Sequence, residues 1–113
     1  MKVNEFAKKC GMSVLVGKEK SDKQLSGVYV CDLLSWVMSK ADKGTAWITV
    51  HTNINIIAVA LLTEVSCIII PENINVESET IKRAEEEGIV ILSSELSAYE
   101  ICSKAYGYGI GKG

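Results

Sequence analysis

The stretch AWITVHTNINIIAVALLTEVSCIII, residues 46–70, decides the fold. It opens with a short apolar run rich in β-branched residues, AWITV (46–50), and closes with another, CIII (67–70). Between them lie a polar turn, His51-Thr52-Asn53, and a helical segment, INIIAVALLTEV (54–65). A third run, IVIL (89–92), follows, and the three runs begin about 21 and 22 residues apart. Short strands alternating with helices of this length imply right-handed crossovers and a parallel sheet. The runs are continuously apolar, which expects both sheet faces to be covered.

Outward from this core, VNEFAKKC (3–10) places Val3, Phe6, Ala7 and Cys10 on one helical face, and Gly11 supplies a stop. SVLV (13–16) and GVYVC (27–31) read as strands around a polar surface loop, GKEKSDKQLS (17–26). Asp32 is a good N-cap for the helix LLSWVMSK, and ADKGT (41–45) is a turn. ESETIKRAEEEG (77–88) buries little beyond Ile81 and Ala84 and ends at Gly88. SAYEICSKAYG (97–107) opens with Ser97 and Glu100 at capping-box spacing and buries Ala98, Ile101, Cys102 and Ala105. The tail YGYGIGKG (106–113) is glycine-rich and expected to fray. The expected fold is α/β: a mostly parallel sheet of about five strands, helices on both faces, in a single domain spanning residues 1–113.

The bulk properties narrow the function classes. Hydrophobic residues make up 48% of the 113, at the globular average, which excludes wholesale disorder. A net charge of −2 with no basic stripe argues against nucleic acid. No apolar run reaches the roughly 18 residues that span a membrane, and the N-terminus lacks the apolar region of a signal peptide. The expected location is therefore the cytoplasm. Cys10, Cys31, Cys67 and Cys102 are scattered. In a reducing compartment they read as small buried hydrophobes rather than disulfides or zinc ligands, so neither metal nor cofactor is expected.

Ligands of parallel α/β sheets bind beyond the carboxyl ends of the strands. The turns on that edge give the candidate ligand residues: His51, Thr52 and Asn53, then Glu72 and Asn73 after Pro71, then Ser93 and Ser94 before Glu95, with Asp32 beside them. The plain alternative for Thr52 or Asn53 is capping of the next helix, and for His51 a satisfied hydrogen bond. Catalytic signatures are missing: there is no phosphate-binding loop, no dinucleotide fingerprint and no nucleophile elbow. YGYGIGKG has no helix after it, and Gly113 stands where Ser or Thr is needed. Cys31 and His51 form a nucleophile–base pair only if the fold brings them together.

The segment 54–65 is apolar nearly all the way round and must be buried on more than one side. One side can face the sheet. The other is expected to meet a second copy, with Ile54, Ile57, Ala58 and Leu61 as candidate dimer residues in a C2 pair. The alternative is that the N-terminal helix covers it. Core packing is the default for Trp36 and Trp47, one of which could instead flank the seam.

From Lys2 to Ile110 the segments GMSVLVG, LSGVYVCDLLSW, ITVHTNINIIAVAL and VSCIIIPENINVESETIKRAEEEGIVILSSELSAYEIC resemble a stand-alone DRTGG domain. That family typically carries a Gly-Asp-Arg turn after one strand and a Thr-Gly-Gly turn after the next. His51-Thr52 or Thr52-Asn53 stands in the first place here, and Pro71-Glu72-Asn73 in the second. An Arg that could grip an anion is gone and an acidic Glu72 has arrived. The resemblance implies a regulatory or dimerising domain with no accepted reaction, as in regulated pyrophosphatases or the N-terminal domain of HPr kinase/phosphorylase. Short versions occur in anaerobic bacteria beside hydrogenase proteins. The expected function is a non-enzymatic, ligand-sensing, self-associating module. The alternatives are a small-metabolite enzyme subunit using His51 as acid/base and a scaffold that docks a protein partner.

Overall fold

The computed structural model describes residues 1–111; Lys112 and Gly113, the end of the tail expected to fray, lie outside them. The elements run α1 (Val3–Lys9), β1 (Ser13–Val16), β2 (Gly27–Val30), α2 (Leu34–Lys40), β3 (Thr45–Ile48), α3 (Asn55–Thr63), β4 (Cys67–Ile70), α4 (Ser78–Glu87), β5 (Ile91–Ser93) and α5 (Ala98–Gly107). The sheet order is β1-β5-β4-β3-β2. Strands β2 to β5 are parallel, and β1 joins β5 antiparallel with a register shift between Val14 and Val16. The expected α/β fold, a mostly parallel five-stranded sheet with helices on both faces, is therefore the one observed.

The period-2 pleat splits the core in two. Ala46, Ile48, Cys67, Ile69 and Leu92 pack beneath α1 and α5, against Phe6, Ile101 and Ala105. Trp47, Ile68, Ile70 and Ile91 pack on the other face beneath α2, α3 and α4, against Val37, Ile56, Ile57, Ala60 and Ala84. Every residue of β3 and β4 is buried, as the unbroken apolar runs require. Two stops act as the sequence expects. Gly88 ends α4 in the left-handed region at φ 72°, and the Ser97–Glu100 capping box opens α5.

Three local expectations are revised, and a fourth, the surface loop 17–26, holds with added detail. Helix α1 lies on the face opposite α3, so it does not cover that helix; α2 and α4 flank it instead. Trp36 is 52% exposed, with the Lys40 ammonium 5.3 Å from its ring centroid, while Trp47 is fully buried. Part of the supposed fraying tail is packed: Gly107 closes α5, Ile110 is buried, and the Tyr108 ring meets Phe6 edge-on at 6.3 Å. The loop 17–26 is anchored as well. The amides of Val3 and Asn4 donate to the carbonyls of Lys23 and Ser21, and Ser21 and Leu25 are buried.

No helix among the described residues is long and apolar enough to cross a membrane. The four cysteines are free thiols, with Cys67 buried and the others half-buried. Burial pushes the Cys67 thiol from about 9 up to about 12, with Lys23 opposing the shift weakly. The folded chain therefore holds the protonated form after the unfolded chain has begun to ionise. This contribution is complete below pH ~9 and is lost as pH rises toward ~12, by up to ~1.4 kcal/mol per pH unit. In denaturant titrations between pH 9 and 11, the native chain should lose stability more steeply than Cys67→Ala. Equal slopes would contradict this account.

Candidate functional site

The parallel order of β2 to β5 places the carboxyl ends of four adjacent strands on one edge. At its β2 end, Asp32 does not cap α2. Leu33 takes the N-cap position without a side-chain bond. Asp32 reaches across to the turn after β3 instead, where its Oδ1 accepts from Thr49 Oγ1 at 2.8 Å and from the Val50 amide at 2.9 Å. Thr49 is buried, and a buried hydroxyl needs a partner. Trp47 Nε1 adds a second tie by donating to the Cys31 carbonyl at 2.9 Å.

His51 continues this network. Its amide donates to Thr49 Oγ1 at 3.2 Å, and its ring Nε2 contacts the Asp32 carbonyl. A carbonyl oxygen only accepts, so Nε2 carries a proton, and in the tautomer with its single proton there Nδ1 of the exposed ring is an acceptor. Asn53 Oδ1 accepts from the Asn55 amide at 2.7 Å and serves the first turn of α3, although Ile54 occupies the formal N-cap. Thr52 does not cap. Its hydroxyl donates to Glu77 Oε2 at 3.4 Å, and its carbonyl accepts from the buried Thr80 hydroxyl at 2.7 Å. The β3–α3 turn is thus held by the β2–α2 loop on one side and by the start of α4 on the other.

The next two turns are stitched to each other. The amides of Glu72 and Asn73 donate to the carbonyls of Leu96 and Ser94 at 2.9 and 2.8 Å. Ser94 is buried, and its Oγ accepts from the Leu96 amide at 3.0 Å. Ser93 is half-buried and ends β5, with Ile70 and Ser13 as its register partners. Glu72 and Asn73 are both left-handed, at φ 57° and 54°. Asn tolerates that region; Glu carries a Cβ penalty of roughly 1–2 kcal/mol there. Glu72→Gly should therefore be more stable than Glu72→Ala by about 1 kcal/mol, after allowing for the larger unfolded-state entropy of glycine. Thermal unfolding of the two variants checks this, and equal melting temperatures would show that no such penalty exists.

All seven candidate ligand residues stand on the same edge, in three neighbouring turns. Their roles differ. Thr52, Asn53 and Ser94 are engaged in internal bonds, whereas among the described residues the side chains of Glu72 and Asn73 make none and His51 keeps Nδ1 free. Thr49 and Thr80 are supports that the sequence leaves unassigned, and Asp32 is one that it assigns to helix capping instead. The only local hint was Thr49, a hydroxyl inside the apolar run AWITV; Thr80, in the polar segment ESETIKRAEEE, gave none. A cleft of about 560 Å³ opens elsewhere, at the amino edge, between residues including Lys23, Lys43, Leu61, Glu64 and Ile89; none of the seven lines it. Among the described residues, no group of three or more His, Cys, Asp or Glu is placed to hold a metal ion.

Of the candidate dimer residues, Ala58 and Leu61 are exposed and Ile54 is half-buried. Ile57 is 1% exposed and belongs to the core of its own chain. Leu62, which the sequence reading passed over, is the most open apolar residue of α3 at 67%.

An open, mostly parallel α/β domain whose strand ends are closed by stitched turns is the class these features define. Within it, the model of the DRTGG domain matches residues 5–106, and the chain belongs to that family. A similar solved structure is the crystal structure of the CBS and DRTGG domains of the regulatory region of Clostridium perfringens pyrophosphatase, complexed with its activator, diadenosine tetraphosphate. The TM-score is 0.70 at 14% identity, over 88% of this chain and 43% of that one, so the likeness is one of fold and this chain spans less than half of that one's length. No curated protein sequence matches the chain. The left-handed backbone at Glu72 and Asn73 is the conformation glycines would favour there.

Proposed function

We propose that the chain is a non-enzymatic regulatory module that senses a small polar ligand at the carboxyl edge of its sheet and associates with itself. The division of labour on that edge carries this reading. Asp32, Thr49, Thr80 and Ser94 fix the turns, which leaves His51 Nδ1 and the side chains of Glu72 and Asn73 without partners among the described residues. An acceptor nitrogen, a carboxylate and an amide suit a ligand rich in N–H and O–H donors, such as a nucleobase and its ribose. Nucleotides are the first class to test, because the similar C. perfringens region was crystallised with one.

Acid/base chemistry by His51 fits less well, since the ring is exposed and its Nε2 is tied to a carbonyl. In this reading the module works in the cytoplasm, where free thiols persist. The family resemblance directs the search for a protein partner toward anaerobic metabolism and hydrogenase systems.

The test is a thermal-shift and calorimetric titration with AMP, ADP, ATP and diadenosine tetraphosphate, alongside native mass spectrometry of protein taken from its own host. At least one nucleotide should raise the melting temperature, and His51→Ala with Glu72→Ala should weaken it about tenfold or more. No shift at millimolar nucleotide and no retained ligand would turn the assignment toward the scaffold reading. Turnover abolished by His51→Ala would turn it toward an enzyme.

A further inference from the structure

We infer that the chain pairs with a second copy through a face centred on Ala58 of α3, with α4 meeting the partner's α4 antiparallel so that Arg83 of each copy faces Glu87 of the other. This rests on the self-association just proposed and specifies its surface and register.

The argument begins with the layer itself. Helices α2, α3 and α4 cover one sheet face, and α3 is the middle one, packed on both neighbours. Its outward arc carries half-buried Ile54, exposed Ala58 and Leu61 at i, i+4 and i+7, with Leu62 beside them. A molecule of 33 × 28 × 24 Å offers on the order of 700–900 Å² per face. A standard interface buries about 800 Å² per partner. A stable pair therefore needs nearly a whole face, and on this one the middle helix falls at the centre, where the strongest contacts of an interface cluster.

Symmetry then selects the arrangement. Helices α3 and α4 run in the same direction, because each returns the chain between parallel strands. A twofold axis lying in the interface and perpendicular to the helices sets α3 against its copy antiparallel, and α4 likewise. The stripe is close to palindromic about Ala58, so Ile54 of one copy comes opposite Leu61 of the other. The small central side chain lets the two helices approach.

The charges have the same symmetry. A hollow of about 220 Å³ between α3 and α4 is lined by Ile54, Ala58, Leu61, Arg83 and Glu87, which places Ala58 beside both charges. Neither charge has an ion-pair partner in its own chain among the described residues. The axis through Ala58 carries each Arg83 onto the partner's Glu87. An axis parallel to the helices would set α4 against α2 and leave both charges unmatched.

The test is light scattering and native mass spectrometry over a concentration series, with circular dichroism to confirm folding. The native chain should be a dimer in the micromolar range. Ala58→Arg, at an exposed position on the axis, should weaken pairing at least tenfold. Arg83→Glu or Glu87→Arg alone should also weaken it about tenfold, by setting like charges opposite each other, and the double exchange should recover to within about threefold of the native chain. A dimer indifferent to Ala58→Arg, or a double exchange no better than the singles, overturns this geometry while leaving self-association standing. A chain that stays monomeric at millimolar concentration overturns both. Neither outcome tests ligand sensing by the turns at the carboxyl edge of the sheet.

Discussion

Trp47→Ala should cost about 3–5 kcal/mol, a large share of the 5–15 kcal/mol that holds a typical domain together. Trp47 is the largest fully buried side chain, at the centre of the strand that joins β2 to β4. Truncation leaves a cavity against Ile56, Ile57 and Ile68 that a sheet with helices on both faces cannot collapse to fill. Trp47→Phe separates packing from polarity. It keeps most of the volume but removes the bond from Nε1 to the Cys31 carbonyl, with an expected cost of about 1–3 kcal/mol. The Phe variant bears on function, because Cys31 leads directly into Asp32, the brace of the His51 turn. Urea unfolding with tryptophan-independent detection measures both variants. An Ala variant within about 1 kcal/mol of the native chain would contradict the packing described.

The difference between what could and could not be read from the sequence is one of range. The spacing of AWITV, CIII and IVIL carries the parallel sheet because a crossover repeats one local pattern, and unbroken apolar strands carry the two-sided burial. The Ser97–Glu100 capping box was legible because its partners are three residues apart. Asp32 was misread as a helix cap for the opposite reason: its partners, Thr49 and Val50, lie 17 and 18 residues on. Capping preference is a local statistic worth about 1 kcal/mol. A buried hydroxyl from a neighbouring strand outweighs it. Thr52 follows the same rule, since its partners Glu77 and Thr80 belong to a helix two elements away. Ile57 shows the limit of a wholly apolar helix. The composition demands burial on several sides, and only the placement of α2 and α4 decides which side remains open.

Asp32→Ala should have the second large effect, and it separates a brace from a ligand contact. One carboxylate oxygen accepts both the Thr49 hydroxyl and the Val50 amide, so truncation strands a buried donor and releases the turn that carries His51. The expected loss is about 2–3 kcal/mol. Asp32→Asn retains an acceptor oxygen at that position and should cost less than about 1 kcal/mol. If the carboxyl edge binds a ligand, Asp32→Ala should also weaken binding several-fold, because the ordering cost of the freed turn is then met on association. Asp32→Asn should bind as the native chain does, since Asp32 acts by positioning. A direct contact predicts the reverse: Asn would lose affinity with little change in stability. Measuring unfolding free energy and nucleotide affinity on the same two variants separates the two roles, and equal losses of stability for Ala and Asn would show that Asp32 does not hold the turn.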